Sequence, residues 1–109
     1  GARYNTMRRE GLLDLPSRKG KAPGGYCTAF PVAQRPFIFM NAVGSNDDLY
    51  TLLHEGGHAF HAFAARTESL AFYRGAPIEF CEVASMGMEQ LASEHLQVFY
   101  SPANAARAA

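Results

Sequence analysis

The residues in this sequence best suited to chemistry are two histidines four positions apart, His54 and His58, with Glu55 directly after the first. On a helix, side chains four apart lie about 40° apart around the axis and one turn apart along it, so both imidazoles can reach one tetrahedral zinc ion. Glu55 lies roughly 100° further around, where its carboxylate can reach a water on that metal but not the metal itself. The pattern predicts a zinc site equipped for peptide hydrolysis.

The sequence around these histidines is typical of a helix over residues 46–66. Ser45 or Asn46 is available as the N-cap, and Asp47 places a negative charge at the positive end of the helix dipole. Apolar residues continue on both sides of the histidines as far as Phe63. The two imidazoles therefore fall in the middle of the predicted helix, where metal ligands must be held.

Two glycines between the histidines argue against a purely structural helix. If nothing bound there, His54 and His58 would be ordinary buried histidines beside a surface glutamate. Gly56 and Gly57 make that alternative costly, since each glycine inside a helix destabilises it by about 1 kcal/mol relative to alanine. We therefore expect another segment, such as a packed strand or a substrate backbone, to approach the helix closely at this point.

A hydrolytic zinc site needs a third protein ligand and one coordination position left for water. A second helix is predicted over residues 78–98, and Glu79, Glu82 and Glu89 fall on one of its faces. The spacing permits either Glu79 or Glu82 as the ligand. Glu82 is favoured because its neighbours are apolar, and a carboxylate is costly to bury there unless it is paired or bound to metal. Glu79 and Ser85 are expected to support the ligands instead, and the alternative for Glu79 is a carboxylate at the start of the helix.

Four motifs follow one another along the chain. They are GKAPGGY at residues 20–26, PFIFMN at 36–41, HEGGHAFH at 54–61 and IEFCEVASM at 78–86. In this order they resemble the zinc metallopeptidase family of thimet oligopeptidase and oligoendopeptidase F. The oligoendopeptidase F branch is the closer match, and four motifs in order are far more specific than the histidine motif alone.

The resemblance implies a role for each residue of the predicted site. By position in the motifs, His54, His58 and Glu82 correspond to the zinc ligands and Glu55 to the general base. The resemblance thus favours Glu82 over Glu79 independently of the burial argument. It also implies a single zinc ion as cofactor, short peptides as substrates and a cytoplasmic location.

The length of the chain differs from that of the family. Its members are several hundred residues long and largely helical, with a deep channel between two halves, whereas this chain has 109 residues. In the family, a histidine and tyrosines that stabilise the tetrahedral intermediate lie well C-terminal to the third ligand, and no position here can take those roles. The chain is therefore expected to be a central catalytic fragment. The alternatives to an active peptidase are a zinc-binding fragment without turnover and a structural module.

Composition limits the other classes of function. The sequence is 48% hydrophobic and 18% charged, with a formal net charge of zero. This balance lacks the basic excess typical of partners of nucleic acid or anionic membranes, and no apolar run of about 18 or more residues predicts a membrane span. Cys27 and Cys81 are expected to be free thiols. We expect neither nucleic acid nor membrane among the partners.

The predicted fold class is α+β, a zincin-like catalytic core in which a small antiparallel sheet with a hairpin precedes two antiparallel helices that carry the zinc ligands. Strands are predicted at residues 12–15, 25–30 and 36–40, with residues 1–10 ambiguous. The whole chain is interpreted as one partial catalytic domain. Its segments are strands and turns in 1–45, the histidine helix in 46–66, a loop in 67–77, the third-ligand helix in 78–98 and the start of a further helix in 99–109.

Residues before the histidine helix are candidates for binding substrate. Gly24 and Gly25 could let a peptide approach the strand edge and add to the sheet, with Tyr26 lining the cleft. The alternative is a glycine-rich bend followed by a core tyrosine, and the sequence does not separate the two. Lys19 and Lys21 are expected to lie in a solvated turn.

Three further residues have two open interpretations each. His61 continues the histidine face but lies about 10 Å along the helix from His54, too far to share its metal, so it either lines a substrate pocket or packs. Tyr73 and Arg74 could donate hydrogen bonds to a substrate carbonyl or terminus. The alternative for this pair is an exposed loop.

Overall fold

A computed structural model describes residues 1–108. Its three strands form one mixed sheet with the order β1-β3-β2, in which β1 is Leu13–Pro16, β2 is Tyr26–Phe30 and β3 is Arg35–Ala42. β2 and β3 pair as the predicted antiparallel hairpin, but β1 pairs with β3 in parallel. The prediction of an antiparallel sheet was wrong at β1, because alternation of apolar residues identifies strands without identifying which strand each one pairs with.

Four α-helices accompany the sheet within residues 1–108. The long helix α2, Asn46–Ala65, and the helix α3, Ile78–Ser93, pack against each other. The chain between them contains a 3₁₀ turn, Ala71–Arg74. α3 ends five residues before the predicted position 98, and a second 3₁₀ turn, Leu96–Val98, turns the buried side chain of Leu96 inward. The remaining helices are α1, Ala2–Arg9, and α4, Pro102–Ala108.

The helix α1 lies in residues 1–10, the part of segment 1–45 that the sequence left ambiguous and for which the end of a helix was one interpretation. Met7 is its one buried residue, and Arg3 donates a hydrogen bond to the Phe60 carbonyl of α2. With a single apolar side chain facing the core, this segment carries too weak a 3.6-residue period to be recognised as a helix. Tertiary contacts hold it in place instead.

The core lies between the sheet and α2. Alternate residues of β3 turn inward, including Ile38 and Met40, and they meet Ala59 and Phe63 of α2. Through these contacts the sheet supports one side of α2 and leaves another side for α3. Among residues 1–108, no helix is both long enough and apolar enough to cross a bilayer.

The start of α2 is fixed by a capping box. The Ser45 hydroxyl accepts a hydrogen bond from the backbone N–H of Asp48 at 3.3 Å. In return, the Asp48 carboxylate accepts from the backbone N–H groups of Val43, Gly44 and Ser45 at 2.7–2.8 Å. These hydrogen bonds lower the pKa of Asp48. Because the first turn is held in this way, the histidines two turns later have a defined orientation.

The basic turn before β2 is not fully solvated. The Lys21 side chain is only 1% exposed, and its ammonium donates to the Asp14 carboxylate and to the Asp14 and Pro16 carbonyls at 2.9–3.1 Å. It also lies 4.6 Å from the centre of the Phe39 ring. The expectation of a solvated Lys21 was therefore wrong, since the turn folds back over β1. Lys19 is exposed as expected.

Asp14, which Arg18 also contacts, gives this turn a predicted dependence on pH. Hydrogen bonds from Arg18 and then Lys21 lower the pKa of Asp14 from 3.8 to about 2. Since the folded pKa lies below the unfolded one, the stabilisation is complete above about pH 4 and is lost as the pH falls toward 2. We expect Asp14→Asn to lower the urea midpoint at pH 7 and to flatten its fall between pH 4 and 2. Urea unfolding is followed by circular dichroism at several pH values. If the urea midpoint falls equally steeply between pH 4 and 2 in the variant and in the wild type, this prediction is contradicted.

Candidate metal centre

The two long helices approach each other closely at Gly57. A Cβ atom at this position would lie 2.5 Å from both the Ala84 carbonyl oxygen and the Ser85 Cα, closer than real Cβ contacts allow. The close approach expected from the sequence therefore exists, and its partner is the backbone of α3. At Gly56 a Cβ would meet no atom of the described residues within 4 Å. Only the second glycine is needed for the packing.

The contacts between α2 and α3 join later residues of one helix to earlier residues of the other. His54 lies against Glu89, while His58, one turn later in α2, lies against Glu82, earlier in α3. The helices are therefore antiparallel, as the sequence predicted. This arrangement brings one face of each helix to a shared seam, and the polar side chains of both helices meet there.

The three residues predicted as ligands converge in this seam. The donor atoms of His54, His58 and Glu82 all lie within 4.8 Å of one another. The His54 Nε2 is 3.3 Å from one Glu82 carboxylate oxygen, and the His58 Nε2 is 3.6 Å from the other. The two imidazole rings meet edge to face with their centres 5.0 Å apart. Both rings thus present Nε2 to the same carboxylate.

The donor set and its spacing fit zinc. Two imidazole nitrogens and one carboxylate oxygen are among the ligand sets of hydrolytic zinc sites, which keep one position for water. Ligand atoms held about 2.0–2.1 Å from a tetrahedral ion lie about 3.3–3.4 Å from one another. The separation of 3.3 Å between His54 Nε2 and one Glu82 oxygen matches that spacing, and the separation of 3.6 Å between His58 Nε2 and the other Glu82 oxygen is slightly longer. The side chains could therefore hold the ion with only small adjustments.

A cavity of about 230 Å³ opens beside this group. Glu55 is 9% exposed and lines it, one residue after His54 on α2. Its carboxylate is thus held at the edge of the site and outside the converging set. The cavity is lined by Tyr50, Thr51, His54, Glu55 and Glu89.

Cys27 of β2 lies within electrostatic range of Glu55. Burial, and then the negative charge of Glu55, raise the pKa of the Cys27 thiol to about 12. The thiol is therefore protonated at neutral pH and acts as a neutral neighbour of the carboxylate. Cys27 and Cys81 are both free thiols, as expected.

Of the residues predicted to support the ligands, Ser85 contacts Glu82 and Glu79 lies apart. Ser85 is fully buried, and its hydroxyl lies 3.1 Å from a Glu82 carboxylate oxygen and 3.0 Å from the Glu82 carbonyl. Glu79 is exposed in the first turn of α3 and lies outside the converging group. Its position suits the alternative of a carboxylate at a helix start.

Glu89 makes a contact to which sequence reasoning assigned no role. Its Oε1 lies 2.6 Å from His54 Nδ1, the ring nitrogen that faces away from Glu82. The feature of the sequence that could have indicated this contact is the spacing of seven residues between Glu82 and Glu89, which places both on one face of α3. That spacing alone does not distinguish a carboxylate that contacts a histidine from one that faces solvent.

The glycine-rich segment before β2 forms a bend next to a sheet edge. Gly24 has a φ of +95°, a conformation that favours glycine, and its carbonyl accepts a hydrogen bond from the Asn41 side chain at 2.9 Å. A Cβ at Gly25 would make only ordinary contacts. Tyr26 stacks on Phe39 and is 49% exposed, so it is not a core residue. Because β2 is one of the two outer strands of the sheet, its free edge begins at this tyrosine.

The other candidates lie outside the converging group. His61 is half-buried, one turn beyond His58. Tyr73 is exposed and packs edge to face against Phe72. Arg74 donates hydrogen bonds to the backbone carbonyls of Glu68, Ser69 and Pro31, which ties the loop after α2 to the hairpin turn.

Comparison with known proteins identifies a peptidase family, which agrees with a site suited to hydrolysis. The family model for peptidase family M3 matches residues 2–106. Oligopeptidase PepF of Bacillus subtilis is 34% identical over 100 residues, which cover 88% of this chain and 15% of the relative. The chromosomal oligoendopeptidase F of Lactococcus lactis is 33% identical over 80% of this chain and 14% of its own length. A structure of PZ peptidase A with an inhibitor superposes with a TM-score of 0.92 at 35% identity, covering 99% of this chain and 19% of that one.

The chain therefore belongs to peptidase family M3. Among its relatives the oligoendopeptidase F group recurs, as the four sequence motifs predicted. The chain spans about one seventh of the length of these curated relatives.

Proposed function

We propose that this chain is the metal-binding core of a zinc-dependent oligopeptidase that hydrolyses short peptides. The observation that carries the proposal is the convergence of His54, His58 and Glu82 within 4.8 Å, on two helices of a peptidase-family fold. Short peptides as substrates are supported by the names of the relatives, oligopeptidase and oligoendopeptidase. The resemblance to that family supports a cytoplasmic location.

In this mechanism, each side chain of the site has one task. His54, His58 and Glu82 hold the zinc ion, which when bound lowers the pKa of a water and polarises the scissile carbonyl. Glu55 takes the proton of the attacking water and passes it to the leaving amine. Glu55 is 9% exposed and lines the cavity beside His54, where its carboxylate can reach such a water.

A second candidate function is zinc binding with little turnover. The observation that favours this candidate is that the chain matches only 14–15% of the length of the curated relatives. Hydrolysis of a peptide also needs hydrogen-bond donors that stabilise the tetrahedral intermediate, and the lack of one such donor lowers turnover by about 100- to 1000-fold. On this candidate the chain binds zinc and hydrolyses peptides slowly.

Metal analysis tests the part that both candidates share. We expect the purified chain, after exposure to zinc and removal of excess ion, to retain one equivalent. Glu82→Ala should weaken binding by at least about 100-fold, because loss of a partner that merely supports a ligand already costs 10- to 100-fold. Glu79→Ala is the matched control, with the same change one turn away on the same helix, and should bind as wild type. The reverse result would move the ligand to Glu79, and no zinc in wild type would contradict both candidates.

A further inference from the structure

The hydrogen bond between Glu89 and His54 lies on the side of the imidazole opposite the metal-facing nitrogen. Glu89 Oε1 is 2.6 Å from Nδ1, while Nε2 of the same ring points at Glu82 from 3.3 Å. The ring is therefore held from both sides by carboxylates of one helix. Both partners of the short contact are partly buried, with side-chain exposures of 30% for His54 and 26% for Glu89.

This geometry determines which ring nitrogen carries the proton. A neutral imidazole has one N–H donor and one lone pair, and a metal binds the lone pair. Both carboxylates can only accept a hydrogen bond, but the contact at Nδ1 is 2.6 Å long and the contact at Nε2 is 3.3 Å. In the neutral imidazole the proton therefore lies on Nδ1 and the lone pair lies on Nε2. The contact thus selects the tautomer of His54 that can bind metal and keeps its ring from rotating about the side-chain bonds.

The contact also contributes charge. Glu82 supplies one negative charge to a group whose two imidazoles are neutral when they bind metal, so a dication is only partly compensated. Glu89 adds a second carboxylate through its hydrogen bond to His54 and thereby strengthens that imidazole as a metal ligand. His58 has no corresponding carboxylate at its second nitrogen among the hydrogen bonds of residues 1–108, so the effect is specific to His54.

We propose that Glu89 is a positioning residue that fixes His54 as the Nδ1–H tautomer and thereby raises the zinc affinity of the site. The proposal rests on the proposed function, since it concerns the same metal ligands. It adds a residue that does not itself converge with the ligand atoms. It also assigns a task to the second carboxylate on the inner face of α3.

The first test needs neither metal nor a variant. In the metal-free chain at about pH 8, the ¹⁵N chemical shifts of the His54 ring should be those of an Nδ1–H tautomer. An Nε2–H tautomer in wild type would overturn the proposal whether or not the chain binds zinc. This result therefore separates failure of the inference from failure of the proposed function.

The second test compares Glu89→Gln with Glu79→Gln by zinc competition against a chelator. The two variants lose the same charge from the same helix, but only the first loses the carboxylate at His54. We expect Glu89→Gln to bind zinc about 10- to 100-fold more weakly, and its metal-free His54 to shift toward a mixture of tautomers. Glu79→Gln should match wild type in both measurements. Unchanged affinity in Glu89→Gln, or an equal loss in both variants, would overturn the proposal.

Discussion

Gly57→Ala is expected to push the helices α2 and α3 apart and to abolish zinc binding. The added Cβ would lie 2.5 Å from backbone atoms of Ala84 and Ser85, and backbone cannot rotate away as a flexible side chain can. Reaching an ordinary contact of about 3.5 Å requires the helices to separate by about 1 Å. Overpacking of this kind costs about 1–3 kcal/mol. Zinc sites tolerate errors of only about 0.2 Å in ligand distance, so a shift of about 1 Å exceeds what the site can accommodate.

Gly56→Ala provides the matched control for this prediction. It makes the same chemical change one position earlier, where the new Cβ meets no atom of the described residues within 4 Å. We expect it to leave zinc binding intact and to raise the free energy of unfolding by about 0.5–1 kcal/mol, since alanine is the better helix former. Urea unfolding and zinc titration of both variants provide the comparison. Similar behaviour of the two variants would contradict the packing role of Gly57.

The second large effect is expected from Glu55→Gln. If the Glu55 carboxylate moves the proton of the attacking water, replacing it with an amide should lower the rate of peptide hydrolysis by about 100- to 10,000-fold. Zinc binding should remain, because Glu55 lies outside the converging ligand group. The measurement is the slow hydrolysis of a short fluorogenic peptide in excess zinc, followed over hours, together with zinc titration of the same sample.

Asp47→Asn is the control for the loss of a negative charge from α2, because Asp47 is exposed in the first turn of that helix. It should leave both the hydrolysis rate and zinc binding unchanged. A rate in Glu55→Gln equal to that of wild type, with zinc bound, would assign the proton transfer elsewhere. Turnover by the wild-type chain at a level typical of enzymes would contradict the candidate that binds zinc without appreciable hydrolysis.

The parts of the fold that were predictable from the sequence are those determined by local patterns. α2 begins at Asn46 because Ser45 and Asp48 form its cap, whereas the sequence left the N-cap open between Ser45 and Asn46. The hairpin of β2 and β3 and the α+β class follow from short-range alternation and turn residues in the same way. The family was predictable because its motifs are specific in type, spacing and order. The roles of the ligands and of Glu55 stay predictions.

Features that depend on residues distant in sequence were not predictable. The parallel pairing of β1 joins Leu13 to Ile38, and nothing near either residue specifies the other. Lys21 is buried only because its turn folds onto β1 and the Phe39 ring. Glu89 contacts His54 and Glu79 does not, because a different part of α2 lies opposite each of them. Which part lies opposite depends on where the two helices cross.

The seam between α2 and α3 also has a consequence for the order of folding. All contacts of the metal group join residues that lie within 54–89, and the linker between the two helices comprises only residues 66–77. Because the entropy cost of closing a loop grows with its length, a hairpin of two adjacent helices closes early and quickly. The cluster of histidines and carboxylates can therefore assemble in a nascent helical hairpin before β1 has found its parallel partner. Zinc present at that stage would act as a folding nucleus.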